Sequence, residues 1–401
     1  MFTYLTAGES HGKEITAIIK QVPAGLRIKK SLINQELIRR QGGYGRGGRM
    51  DIEKDRVEIT SGVRHGKTLG SPIALVIENK DWKNWQKEMS IEPIDEEKKD
   101  PMTKPRPGHA DLPGAIKYNS RDLRNILERA SARETAIRTA VGAICKQFLD
   151  KFAIKVFSHV IQIGSVKASA WEKREINRIK NNELSQKDIK KYFDKVEESP
   201  LRCGDKEIEE EMINLINETK QAGNSIGGVV ELLVFGLPIG LGSHVHWDEK
   251  LDGKLAQALM SIQAIKAVEF GTGFKSAEHK GSKVHDEIYY DHDKTRFYRT
   301  SNNAGGIEGG MSNGEPLIIQ IAMKPIPTLK KPLHSVDLES KSERSASKER
   351  SDVCAVPSAS IVGEAVVSSV LAKAFSKKFG GDSIKEIIRN YQAYQDYVKN
   401  Y

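Results

Sequence analysis

Cysteine is scarce in this 401-residue chain: Cys145, Cys203 and Cys354 are widely separated and none belongs to a C-x-x-C pair. So odd and scattered a set supports neither a disulfide framework nor a thiolate zinc site, and it fits a reducing compartment, the cytoplasm. Long apolar runs are lacking as well. The most apolar stretch, Gly227 to Gly242, is interrupted by Glu231 and Pro238 and is too short to cross a bilayer as a helix, so no membrane partner is expected. Gly8, Glu9, Ser10 and His11 arrive before an apolar signal-peptide core could form, which argues against export. Acidic residues are outnumbered, 54 Asp plus Glu against 63 Lys plus Arg, and the excess of nine positive charges favours anionic partners without saying which. A chain of this length buries well over half of its unfolded surface and needs no covalent or metal staple.

What is present alternates between short β-rich runs and helical spacing. Ile15–Val22, Ile73–Ile77, Gly227–Leu237 and Pro316–Met323 read as strands. Leu123, Ile126, Leu127, Ala130, Ala136, Ile137, Ala140, Val141 and Ile144 recur at helical spacing, predicting one long buried helix through about Leu149. Helices are also predicted over Leu251–Ala267, over Ile361–Phe379 up to Gly380-Gly381, and over Ser383–Tyr401. Residues 165–225, dense in Lys and Glu, read as an exposed helical excursion, and the polar run 336–351 as a mobile loop. The apolar run ending in Val22-Pro23-Ala24-Gly25-Leu26 is echoed by the one ending in Leu237-Pro238-Ile239-Gly240-Leu241, which predicts two related β-rich halves with helices packed between or against them.

Six segments carry candidate chemistry. Gly8 to Gly12 presents His11, the side chain best suited to move a proton near neutral pH, on a short turn. Arg39 to Arg49 interleaves four arginines with five glycines, an anion-binding loop whose rival reading is a single-stranded RNA contact; against RNA, the motif occurs once and within a β-rich region. Arg106-Pro107-Gly108-His109-Ala110-Asp111 sets a second histidine between a cation and a carboxylate. Arg129 to Arg138 places three arginines and Ser131 on an apolar element, where buried charge demands anionic partners and a Glu134–Arg138 pair accounts for only part of the pattern. Asn302 to Gly314 is a Gly/Asn loop leading through a strand to Lys324-Pro325-Ile326-Pro327-Thr328. Glu349 to Asp352 closes the polar run. His244-x-His246 lacks a third ligand nearby, so no metal site is expected.

Taken together and in this order, Gly8–Gly12, Arg40–Arg49, Arg106–Asp111, Arg129–Glu134, Gly305–Gly314 and Arg350–Asp352 resemble the chorismate synthase family over nearly the whole chain. The resemblance implies an α+β fold, a β-α-β sandwich with internal pseudo-symmetry, in one domain spanning 1–401 and assembled as a homotetramer. It implies a lyase of the shikimate route to aromatic amino acids that converts 5-enolpyruvylshikimate 3-phosphate to chorismate and phosphate by 1,4-anti elimination, using reduced FMN without net redox change. No flavin-reductase domain is apparent, so the resemblance points to an external reductase, with NADPH as the indirect reductant. The alternatives are an RNA-binding protein and a phosphate-metabolising enzyme without flavin.

Carried over residue by residue, the resemblance assigns His11 as general acid toward the departing phosphate and His109 to protonation of the reduced flavin. Asp352 would help the flavin N5 region accept the substrate proton. Arg40, Arg46, Arg49, Arg106, Ser131 and Arg133 would meet the substrate, and Arg40 and Arg46 also a nicotinamide nucleotide. FMN would touch Arg129, Ala130, Ser131, Gln263, Ala264, Gly309, Lys324, Pro325, Ile326, Pro327, Thr328 and Arg350. Two places depart from the commoner family pattern: Gln263 stands where Asn is usual, and Pro327-Thr328 where small hydroxyl residues often follow. The loops 42–48 and 336–351 are expected to act as lids.

Overall fold

The fold is taken from a computed structural model that describes residues 2–47, 54–95, 100–167, 186–292, 295–348 and 351–401. Arg49 and Arg350 lie outside the described residues, as do positions 168–185 of the expected excursion.

Alternation of buried and outward side chains builds the first sheet. In β2 (Glu14–Lys20) Ile15, Ala17 and Ile19 face inward, and in β4 (Ile73–Glu78) Ile73, Leu75 and Ile77 do the same. With β1 (Thr3–Ala7) and β3 (Val57–Ile59) they form an antiparallel sheet in the order β1-β2-β4-β3. The second sheet contains β5 (Lys155–Ile163), β6 (Gly228–Phe235), β7 (Ile265–Phe270) and β8 (Leu317–Met323) in the order β5-β6-β8-β7. Each half thus runs strand, strand, helix, strand, strand, helix with the same spatial order. The helices are α1 (Lys30–Gln41) and α4 (Glu134–Leu149) in the first half, α7 (Leu251–Met260) and α8 (Val356–Phe379) in the second.

These four helices lie between the sheets, α4 against α8 at the centre, and one apolar core draws on both halves. The result is a β-α-β sandwich with internal pseudo-symmetry. The echoed segments occupy equivalent places. Gln21 and Gly25 have φ of 61° and 82°, Gly236 and Gly240 of 82° and 83°, while Leu26 and Leu241 are both fully buried.

Four expectations need correction. The long helix from Leu123 is broken: after the short α2 (Asp111–Tyr118), α3 (Arg124–Ala130) stops, Ser131 is extended at ψ 143°, and α4 starts at Glu134. The predicted helix over Leu251–Ala267 ends at Met260, Ala264 turns at φ 67°, and β7 follows. Apolar spacing continues through that turn because Ile262 and Ile265 are themselves buried. The charged excursion contributes α5 (Gln186–Glu198) and α6 (Lys206–Gln221), which are not merely exposed: Tyr192, Phe193 and Val196 pack on the outer face of the second sheet, while Met212 and Ile216 enter the main core. The polar run 336–351 carries an antiparallel pairing of His334–Val336 with Glu343–Ser345, anchored where Thr103 donates to Asp337 at 2.6 Å and Ser335 to the Pro105 carbonyl at 2.5 Å.

The other predicted strands and helices are present within a few residues, including α9 (Ile384–Lys399), capped by the Ser383 hydroxyl. Helix α8 is long and apolar enough to cross a membrane, yet 83% of its most apolar window is buried inside the protein, as a core helix requires. Among the described residues no cluster of three metal-ligating side chains occurs, and His244 and His246 are exposed.

Candidate active site

A cavity of about 420 Å³ opens where the break between α3 and α4 meets the end of α1, the end of β8 and the start of α8. Five of its lining residues are Arg or Lys (Arg40, Arg46, Arg106, Arg133 and Lys324), and one, Asp352, is a carboxylate. Both candidate histidines line it, as do Ser131, Ala130, Gln263, Ala264, Ile326, Pro327 and Thr328. The lining contributes far more apolar than polar surface through Leu127, Ile262, Met323 and Val362, so the cations face a partly dry space in which charge interactions are strengthened.

Each histidine is backed by a carboxylate on Nδ1. His11 sits in the β1–β2 turn, which folds so tightly that a Cβ on Gly8, at φ 105°, would lie 2.5 Å from the Glu14 carbonyl. Its Nδ1 is 2.8 Å from Glu128 Oε1, its backbone N–H donates to Glu128 Oε2 at 2.7 Å, and the Trp85 ring lies 4.1 Å away, centroid to centroid. Burial opposes ionisation of Glu128, but the bonds and charge of His11, with Arg124, hold its carboxyl below the usual range. His109 Nδ1 is 2.5 Å from Asp111 Oδ1, and Arg106 donates from Nε to Asp111 Oδ2 at 2.8 Å. Burial again opposes, yet hydrogen bonds from His109 and Arg106 keep the Asp111 carboxyl far below its ordinary value. With Nδ1 engaged, Nε2 of His11 is the nitrogen left for a reacting group, whereas Nε2 of His109 lies 3.4 Å from Arg106 Nη2.

The arginines differ in how far the protein satisfies them. Arg133 donates from Nη1 to Asp55 at 2.6 Å and from Nε to Asn79 at 2.7 Å. Arg106 is held by Asp111 and by the Thr328 hydroxyl at 3.1 Å. Arg46 pairs with Asp352 at 2.6 Å, and the Gly47 N–H donates to the same carboxylate. Arg40 donates from Nε to Thr135 and from Nη2 to the Ala132 carbonyl at the helix break, which also accepts from the Thr135 N–H and hydroxyl; its Nη1 is 3.6 Å from Asp55 without a hydrogen bond. Burial, only partly offset by Asp55 and reinforced by Arg133 and Arg46, pushes the Arg40 guanidinium down to about 10, still charged at neutral pH. Burial and Lys266 lower Lys324, whose ammonium donates to the Gly108 carbonyl.

Three expected site residues among the described ones, Arg129, Gly309 and Pro325, do not line the cavity. Arg129 turns away to donate to the Gly8 and Thr6 carbonyls, each at 3.0 Å. Gly309 lies in the β-turn joining Ile307–Glu308 to Met311–Ser312. Pro325 is part of the segment that contributes its neighbours Lys324 and Ile326. Sequence reasoning missed Glu128, Trp85, Asp55 and Asn79, which support His11 and Arg133; none stands in a motif, and only the adjacency of Glu128 to Arg129 hinted at a role. Ser10 also lines the cavity and donates to Ser131 Oγ at 3.0 Å.

A profile of the family described as Chorismate synthase matches residues 2–376. Chorismate synthase of Geotalea daltonii is 54% identical over 407 residues, covering the whole of both chains. That of Bacillus pumilus is 56% identical, covering 96% of this chain and 97% of the relative. A solved structure described as the crystal structure of chorismate synthase superposes with a TM-score of 0.80 at 45% identity, over 100% of this chain and 99% of the other.

Proposed function

This chain belongs to the chorismate synthase family, enzymes of the lyase class in the shikimate route, and from that premise we propose that it performs the 1,4-anti elimination of phosphate from 5-enolpyruvylshikimate 3-phosphate with reduced FMN. The observation that carries this reading is the pocket itself, five fixed cations against one carboxylate around two carboxylate-backed imidazoles. A substrate with two carboxylates and a phosphate needs such a cationic wall.

The residues present fit a flavin. Gln263 Oε1 is buried at the pocket without a hydrogen-bond partner, an acceptor awaiting a donor, and it stands beside the apolar side chains of Ile262, Met323 and Ile326. Ala130, Ser131, Gln263, Ala264 and the Lys324–Thr328 segment would hold FMN, with Arg350 beyond the described residues. When bound, reduced FMN supplies the electron density that lets phosphate leave an unactivated carbon skeleton.

Arg40 and Arg46 bind the substrate anions, while Arg106 and Arg133, already satisfied by carboxylates, chiefly set the potential and position His109 and the helix break. His11 delivers a proton from Nε2 to the departing phosphate, and His109 keeps the flavin region protonated. Asp352, released once Arg46 exchanges it for a substrate anion, would assist the flavin N5 region in accepting the substrate proton. The apolar lining excludes water from these steps.

The same reading takes residues 1–401 as one catalytic unit, since the pocket draws side chains from both halves. It takes the flavin as reduced by an external enzyme with NADPH as indirect reductant, and the cytoplasm as the compartment, consistent with three free, buried cysteines. A homotetramer is supported by apolar side chains left exposed on one protomer, among them Leu5, Trp247 and Phe274. An anaerobic assay of phosphate release tests the reaction. Release is expected with dithionite-reduced FMN and not with oxidised FMN, and flavin-independent release would overturn the reading.

A further inference from the structure

The described residues of the charged excursion have no part in the pocket lining, yet they are built onto the back of the loop that carries Arg46. The Tyr44 N–H donates to the Pro200 carbonyl at 2.9 Å, and the Tyr44 hydroxyl donates to Asn217 Oδ1 on α6 at 2.8 Å. A Cβ on Gly45, at φ 86°, would lie 3.0 Å from Cys354 and 3.3 Å from Ile216, so the loop threads a narrow slot between the start of α8 and α6. One residue before Arg40, Arg39 donates from Nε and Nη2 to both carboxylate oxygens of Glu197 on α5, at 2.9 and 2.6 Å. The excursion therefore grips the chain immediately before Arg40 and again between Arg40 and Arg46.

We propose that α5 and α6 brace the anion-binding loop, with Tyr44 and Asn217 as positioning residues that hold Arg40 and Arg46 in the geometry that binds substrate. This rests on the reading of those arginines as substrate ligands. A glycine-rich loop has many conformations to lose, and binding that must order it is weakened by the fraction of time it spends elsewhere. The brace meets that ordering cost during folding rather than during binding. Its loss therefore weakens substrate capture while leaving the proton-transferring groups in place.

The test replaces Tyr44→Phe, which keeps the ring, and separately Asn217→Ala. Each variant is expected to raise KM for 5-enolpyruvylshikimate 3-phosphate about three- to ten-fold, the span of one partly buried hydrogen bond, with kcat within about two-fold. Amide hydrogen exchange across residues 43–47 of the ligand-free protein should quicken in both variants. The control Lys190→Ala, on the solvent side of α5, should change neither quantity. Unchanged KM with unchanged exchange, or an equal rise in KM for Lys190→Ala, would overturn the brace. If the wild-type chain does not convert this substrate, the functional reading fails, while the exchange measurement still decides whether α6 holds the loop.

Discussion

At the scale of single residues, the pocket works by pairing. A histidine on a glycine-rich turn would sample several rotamers and both neutral tautomers, and the neighbours of His11 remove that freedom. Glu128 engages Nδ1 and the His11 backbone N–H together, Trp85 packs beside the imidazole, and Arg124 lies 4.8 Å from the Trp85 ring. Replacing Glu128 by Gln keeps the volume but lets an amide donor face Nδ1, which stabilises the opposite tautomer. Glu128→Gln is expected to lower kcat roughly ten- to hundred-fold, the scale on which partners that orient a functional imidazole are felt, with little change in KM. His11→Ala should cost more, about two to four decades if the ring transfers a proton. Nitrogen-15 spectra of the His11 ring check the cause: an unchanged tautomer ratio in Glu128→Gln would refute the orienting role.

At the scale of elements, the decisive contact is the crossing of α4 and α8 at the centre of the sandwich. A Cβ on Gly142 would lie 2.4 Å from both Cα and Cβ of Ala365, so the backbones approach more closely than any side chain permits. In an exposed helix, Gly→Ala gains about 1 kcal/mol of helix propensity. Here overpacking, about 1–3 kcal/mol, outweighs it, and Gly142→Ala should lower the unfolding free energy measured in urea. The helical spacing around Gly142 was plain in the sequence, as were β2, β4, β6 and β8, because one face of each element must be apolar; β1, β3 and β5 were not picked out, and β7 begins inside a stretch that reads as helix. The close crossing was not, since a helical glycine looks the same whether it meets solvent or a backbone. The helix break at Ser131 was hidden for a related reason. Neither Gly nor Pro marks it, and it is stabilised from afar, by Arg40 on the Ala132 carbonyl and Ser10 on Ser131. The cation set of the pocket was legible because arginines on apolar or glycine-rich segments need anions. The carboxylate behind His109 was legible as well, since Asp111 is two residues away, but the one behind His11 was not, because Glu128 and His11 are 117 residues apart.

At the scale of the whole molecule, the two pseudo-symmetric halves are joined by a buried charge network as well as by the core. Glu364 of α8 accepts from Arg39 of α1 at 2.9 and 3.1 Å, from Lys146 of α4 at 2.5 Å, from Ser158 of β5 at 2.6 Å and from Arg202 at 3.1 Å. Burial alone would raise this carboxyl, but Arg39, Lys146 and Arg202 hold it far below its ordinary value. A carboxyl depressed in the folded state stabilises the fold above its unfolded value, about 4.3, and that stabilisation is lost as pH falls from there toward the folded value. Asp111 and Glu128 are depressed too and act in the same direction. The protein is therefore expected to lose unfolding free energy steadily as pH falls below about 5, with little change between pH 6 and 8 from these groups. Glu364→Gln leaves the buried Arg202 and the half-buried Arg39 and Lys146 facing an amide, although Glu36 and Glu197 still pair with them, and should cost up to about 3–5 kcal/mol at neutral pH. It should also make the decline below pH 5 shallower, since one of the groups that binds a proton on unfolding is gone. Denaturation by urea across pH 3 to 8 measures both quantities, and equal acid slopes in wild type and variant would show that Glu364 is not the group through which the joined halves sense acid.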